Sequence, residues 1–382
     1  MQVQSPISFA GKGKKLADAR LETLSRILVD YSLEVQQGQL VTVAGSPLAA
    51  PLIRAVYRRI VQRGAHPLLQ LSLPGISEIY YGQASDEQLN FIRPDERIMP
   101  EQADAALSIL SDSNTKALSG VDPSRQRLAR LARADLTQTY LERSAAGTLK
   151  WCVTLFPTEA FAQDAEMSLF DYEEFVYSAG LLDSVDPVAE WQTVSREQAR
   201  LVAWLSDKRS VHVTAPGTDL TLDIAGRTFI NADGRYNFPD GEIFTGPIEN
   251  SVNGHVRFTF PCNVGGREVE DVQLWFEHGK VVKATAEKNE EYLLRTLDTD
   301  EGARYLGEFA FGTNRGIGKF TSNILFDEKI GGTMHLAVGA SYPETGGLNQ
   351  SAIHWDMICD LRQQSEVRVD DQLFIKDGEF QV

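Results

Sequence analysis

The chain has 382 residues, 42% of them hydrophobic and 24% charged, with a formal net charge of −16. That length is more than one core comfortably organises, so two domains are expected in an otherwise ordinary globular protein. The acid excess argues against nucleic acid and against an anionic membrane surface as partners, because both require clustered Lys and Arg.

Residues 1 to about 14 are polar and rich in Gly and Lys, and read as a loose leader. They lack the apolar run of a signal peptide, and no later run reaches the length of a membrane span, so a cytoplasmic protein is expected. Leu16, Leu21, Leu24, Ile27, Leu28 and Tyr31 follow helical spacing. Leu40 to Ala44 is a short β-branched strand, followed by Gly45-Ser46-Pro47, a turn with a helix-start signal. A helix from about Ala49 to Gln62 ends at Gly64, and Pro67 to Leu71 reads as the next strand. The alternation continues with a strand over Ala106–Leu110, a helix over Ser124–Arg143, a strand over Lys150–Leu155 and a helix from Thr158, its cap, to Ala165. Repeated strand-then-helix order predicts an open, mostly parallel sheet flanked by helices. No GxGxxG or GxxxxGK[ST] follows any of these strands, so nucleotide binding of the usual kind is unsupported.

Residues 168–204 are helix-rich, with Phe170, Tyr172, Phe175, Tyr177 and Trp191 forming an aromatic stripe that reads as core or an interdomain wedge. From about Asp207 the character changes to short alternating strands separated by Gly and Asn/Asp turns, with one helix over about Glu291–Leu297. The expected architecture is therefore an N-terminal α/β domain over residues 1–206, with an open mostly parallel sheet flanked by helices, and a β-rich α+β domain over residues 207–382. Cys152, Cys262 and Cys359 are far apart and odd in number, giving neither a disulfide framework nor zinc-finger spacing. They read as buried thiols of a reducing compartment.

The segment from Gly331 to Asp356 holds two of the six histidines, His335 and His354. His354 and Asp356, two apart on a strand, share one face and make a metal half-site. Glu242 in PDGEIFTGPIENSVNG and Glu308 in RYLGEFAFGTN supply carboxylates that complete it, and such a mixed N/O donor set suits zinc or cobalt better than magnesium or calcium. His66, His212, His255 and His278 have ordinary structural readings. Arg235 and Asn237, just before Glu242, either orient nearby groups or stabilise a turn.

The blocks PDGEIFTGPIENSVNG, LGEFAFGTN, FDEKIGGTMHLAVGASYPETGG and HWDMICDLR resemble those of the thermophilic aminopeptidases, the aminopeptidase T and aminopeptidase S type of metallopeptidase. YSLEVQQGQLVTVAGSPLAAPL and WCVTLFPTEAFAQDAEMS extend the resemblance over nearly the whole chain. It implies two divalent metal ions, zinc or cobalt foremost with magnesium or manganese as alternatives, held by Glu242, Glu308, His335, Tyr342, His354 and Asp356. Either Glu308 or Asp356 is the bridging carboxylate. It further implies hydrolysis of N-terminal residues from peptides with a free N-terminus, and a homodimer. Tyr342 is then a ligand or an oxyanion donor. Proton shuttling requires a carboxylate that the metals do not saturate; Glu249 is the first candidate, with Glu328 and Glu344 behind it. Two alternatives remain: a ring-cleaving dioxygenase of the dihydroxypyridine type, holding one iron by His335, His354 and Asp356, and a non-catalytic binding protein on the same shell.

Overall fold

The computed structural model describes residues 18–264 and 267–382, so the expected leader and Leu16 lie outside the described residues. The first half folds as the alternation predicts. A parallel sheet runs in the order His66–Leu71, Leu40–Gly45, Ala105–Leu110, Lys150–Leu155, Asn237–Phe238. Its central strands bury Val41, Val43, Leu107, Ile109, Cys152 and Leu155. The helix Ala50–Gln62 packs Leu52, Ile53, Val56 and Ile60 against them. The Thr158 hydroxyl accepts from the Phe161 amide and caps the helix Glu159–Asp164, as its position suggests.

One element differs from expectation. The helix predicted over Ser124–Arg143 is two helices, Pro123–Ala132 and Ala134–Ala145. Arg133, at the break, donates to the carbonyls of Ala129 and Leu89 and pairs with Glu96, tying the corner to a neighbouring loop. Residues 76–102 form three short α-helices, Ile76–Gln83, Asp86–Asn90 and Ile98–Gln102.

The second half is β-rich. An antiparallel sheet of eight strands, spanning Ser210 to Phe380, faces an antiparallel sheet of five. The five-stranded order is His354–Asp360, Thr333–Gly339, Leu306–Gly312, Glu242–Thr245, Ile230–Ala232. Val213, Leu220, Val256, Leu274 and Phe374 from the large sheet close a common core with Phe309, Phe311, Leu336, Val338 and Met357 from the small one. The helix Glu290–Leu297 covers one flank and buries Leu293 and Leu297.

The two cores interleave in chain order. The helix Pro187–Leu205 ends near the composition change, yet the parallel sheet takes its last strand from Asn237–Phe238. The core beneath that sheet also takes in Ile317, Leu325, Phe326 and Ile330.

Candidate metal centre

Alternation builds the site. In LGEFAFG, TMHLAVG and HWDMICD, one set of residues (Phe309, Phe311, Met334, Leu336, Val338, Trp355, Met357, Cys359) enters the sandwich core. The opposite parity carries Glu308, His335, His354 and Asp356 on the other face. Register aligns them: Glu308 lies opposite Ala337, which lies opposite Asp356, while Gly339 pairs with His354 and Gly312 with Glu242. The small residues Ala310, Gly312, Ala337 and Gly339 between them leave room for the larger polar side chains. Two glycines set the geometry. Gly307 sits in a β-bulge immediately before Glu308, where a Cβ would come within 2.1 Å of the Ala340 carbonyl oxygen. Gly241, before Glu242, has φ +122°, and a Cβ there would meet Asn314 Cβ at 2.7 Å.

The side chains converge. His335 Nε2 lies 3.2 Å from Glu242 Oε2 and 3.5 Å from Glu308 Oε1. His354 Nε2 lies 3.0 Å from Glu308 Oε2 and 3.4 Å from Asp356 Oδ1. Three sets of donor atoms, Glu242–Glu308–His335, Glu308–His354–Asp356 and Glu328–His335–Asp356, each lie within 4.8 Å of one another. Glu308 belongs to the first two and Asp356 to the last two. Tyr342 stands edge-on to the His354 ring at 5.0 Å and against Phe244 at 5.4 Å.

The donors suit a cation better than they suit each other. His354 Nδ1 donates to the Ala340 carbonyl at 2.8 Å, which turns Nε2 toward the carboxylates of Glu308 and Asp356. Glu242 Oε2 and Asp356 Oδ1 are buried without a hydrogen bond, although an imidazole nitrogen lies 3.2 Å and 3.4 Å from them. Buried acceptors without donors are costly, and a divalent cation is what this N/O set would hold. Burial disfavours a charged imidazole, yet Asp356 and Glu308 outweigh it and push His354 up to about 11. Burial likewise opposes the charge on His335, but Glu242 and Glu308 hold it well above its ordinary value.

A further cation is built in. Lys329 has no exposed surface; its Nζ contacts Glu328 and lies 3.7 Å from Glu242 Oε1. Burial raises the Glu328 carboxyl against the opposing pull of Lys329, and raises Asp240 in the same way. On Glu242 burial is outweighed by Lys329 and His335, leaving that carboxyl below its ordinary range. Asp240 is fully buried and accepts from the Gly234 and Gly241 amides. Lys329 and Asp240 were not singled out in the sequence, the first because lysines default to the surface, the second because Pro-Asp-Gly reads as a turn.

Glu249 stands elsewhere: its carboxylate accepts from Arg227 at 2.7 Å and from the Leu348 amide at 2.7 Å, bracing the loop that follows Tyr342, and it belongs to none of the three donor sets. Glu344 is exposed on that loop. Of the remaining histidines, His212 pairs with Asp219 at 2.8 Å and His255 stacks on Trp275. Arg235 pairs with Asp233.

Residues 17–380 match the family described as thermophilic metalloprotease (M29). Aminopeptidase 2 of Geobacillus stearothermophilus is 30% identical over 89% of this chain and 92% of its own length. Aminopeptidase T of Thermus thermophilus is 30% identical over 88% and 91%. The solved structure of wild-type AmpT from Thermus thermophilus superposes with a TM-score of 0.83 at 28% identity, covering 95% of this chain and 99% of that one. A 2,5-dihydroxypyridine dioxygenase from Pseudomonas putida KT2440 shares the fold, with a TM-score of 0.54 at 14% identity. The resemblance drawn from the sequence blocks thus holds along the length of the protein, and the chain belongs to the thermophilic metalloprotease (M29) family.

Proposed function

We propose that the protein removes N-terminal residues from peptides with a free α-amine, using two divalent cations held by Glu242, Glu308, His335, His354 and Asp356, with Tyr342 beside them. By family the chain is a metallo-aminopeptidase, a hydrolase of peptide bonds. The observation that supports the two-cation reading is geometric: the donor sets Glu242–Glu308–His335 and Glu308–His354–Asp356 share Glu308, so two adjacent positions each face an imidazole and carboxylates whose donor atoms lie within 4.8 Å of one another. Zinc or cobalt fits the imidazole-plus-carboxylate donors, with magnesium or manganese as alternatives.

When bound, such ions polarise the carbonyl and lower the pKa of a coordinated water. The protein's own groups do the rest. The phenol of Tyr342, beside His354, is positioned to donate to the developing oxyanion. Glu328, buried beside Lys329 and within reach of His335 and Asp356, is placed to carry a proton from water to the leaving amine. A mononuclear dioxygenase would need His335, His354 and Asp356 alone, and the approach of Glu242 and Glu308 to the imidazoles favours the hydrolase. The resemblance carries a homodimer with it, and the three free, buried thiols are consistent with a cytoplasmic setting.

Elemental analysis together with hydrolysis of free and N-acetylated peptides tests the reading. Two equivalents of metal, cleavage of the free peptides and loss of activity on chelation are expected. Cleavage of acetylated peptides at the same rate, or one equivalent of iron, would overturn it.

A further inference from the structure

The centre is sealed around His335 and Glu242, whose side chains are 1% and 7% exposed, and opens at His354 and Asp356, 24% and 14% exposed. At that mouth His354 and Asp356 border a cavity of about 330 Å³ whose apolar side is formed by Pro261, Phe320, Ile324 and Ile358 and whose polar side includes Ser322, Asn323 and Asp327. Phe320 is fixed by stacking on Phe260 at 5.2 Å. Ile324, 47% exposed, begins the short helix Ile324–Asp327 that leads into Glu328. Core packing does not account for an isoleucine left open beside a cluster of buried carboxylates.

The cavity adjoins another across a shared edge. Ser322 and Asn323 line it and also line a second cavity of about 390 Å³, bounded by Thr115 and Lys116 from the first half and Glu268 and Lys288 from the second. Ser322 holds a left-handed backbone at φ 61°, and the Asn323 side chain accepts from the Leu325 amide at 3.1 Å, so the sill between the cavities is a fixed turn. A peptide cut at its first bond extends away from the centre with everything beyond that bond. Two adjoining cavities on this side of the centre offer room for this leaving portion, whereas the one residue removed needs a single pocket. Tyr342 and Phe244, which meet at the His354 side of the centre, do not line this cavity.

Resting on the aminopeptidase reading above, we propose that the cavity walled by Pro261, Phe320, Ile324 and Ile358 receives the side chain of the substrate's second residue and selects an apolar one. The cavity between Lys116 and Lys288 then takes the chain that follows.

Two series of dipeptide amides, Leu-X-NH2 and X-Leu-NH2, with X as Gly, Ala, Leu, Phe or Glu, are assayed with the metal-loaded full-length enzyme. Leu-Phe-NH2 is expected to exceed Leu-Gly-NH2 in kcat/KM by about tenfold or more. That ratio should fall toward one in Ile324→Asp and in Phe320→Ala, with the order of the X-Leu-NH2 series kept. A flat Leu-X-NH2 series in the unaltered enzyme overturns the proposal, as does a change confined to the X-Leu-NH2 order, which would place the first residue in this cavity. Should Phe320→Ala fail to fold, the exposed Ile324→Asp decides. No cleavage of any free-amine peptide would instead remove the aminopeptidase reading itself, a result distinct from cleavage without regard to the second residue.

Discussion

Lys329 is the side chain on which the charge balance of the centre turns. Replacing it with Met leaves Glu242 and Glu328 buried without their ammonium, a loss of about 3–5 kcal/mol in the metal-free protein. Thermal unfolding should show that deficit shrink when zinc or cobalt is supplied, because the added cations neutralise the same carboxylates. Glu328→Gln should lower kcat by about 10²–10⁴-fold with metal content unchanged. Glu249→Gln should act chiefly on KM, since that carboxylate braces Arg227 and the Leu348 amide. Full turnover in Glu328→Gln, with Glu249→Gln inactive, would return the proton-carrying role to Glu249. The histidines and their acidic neighbours were legible because imidazoles are rare in this chain and sit among glycines. Lys329 and Asp240 were not, since nothing in a single sequence distinguishes a buried lysine from a solvated one.

At the scale of the element, the strands that carry the donors were readable through their alternation, which sends one parity into the sandwich and the other to the centre. The fifth strand of the parallel sheet, Asn237–Phe238, was not: two residues have no period to detect. Nor does an isolated sequence disclose how the lead-in to His354 is held. There Asp300 accepts from the Ser351 hydroxyl at 2.8 Å and the Ala352 amide at 2.7 Å. The Ala352 hydrogen bond, against a smaller opposing effect of burial, holds its carboxyl below the ordinary 3.8. A depressed carboxyl contributes stability above its unfolded pKa and loses it as pH falls through the folded one. Asp300→Ala should therefore cost about 1 kcal/mol at neutral pH. The gap in denaturant midpoints should close as the pH drops below 3.8. A gap that persists in acid would assign the loss to packing instead.

For the whole molecule, no helix among the described residues is long and apolar enough to cross a membrane. The open parallel sheet followed by a β-rich half was legible because helical and strand periodicities segregate along the chain. What composition conceals is that the halves trade segments: Phe238, Phe326 and Ile330 belong to the first core although they lie far beyond the change in character near Asp207. A gene cut there would yield one fragment short of a strand and another carrying orphaned apolar residues. Each should come out insoluble when expressed alone, with peptidase activity recovered only on co-expression. Soluble, separately melting fragments would contradict this. The seam is thus a place to break the enzyme, not to divide it, and neither portion can be borrowed as a stand-alone cassette.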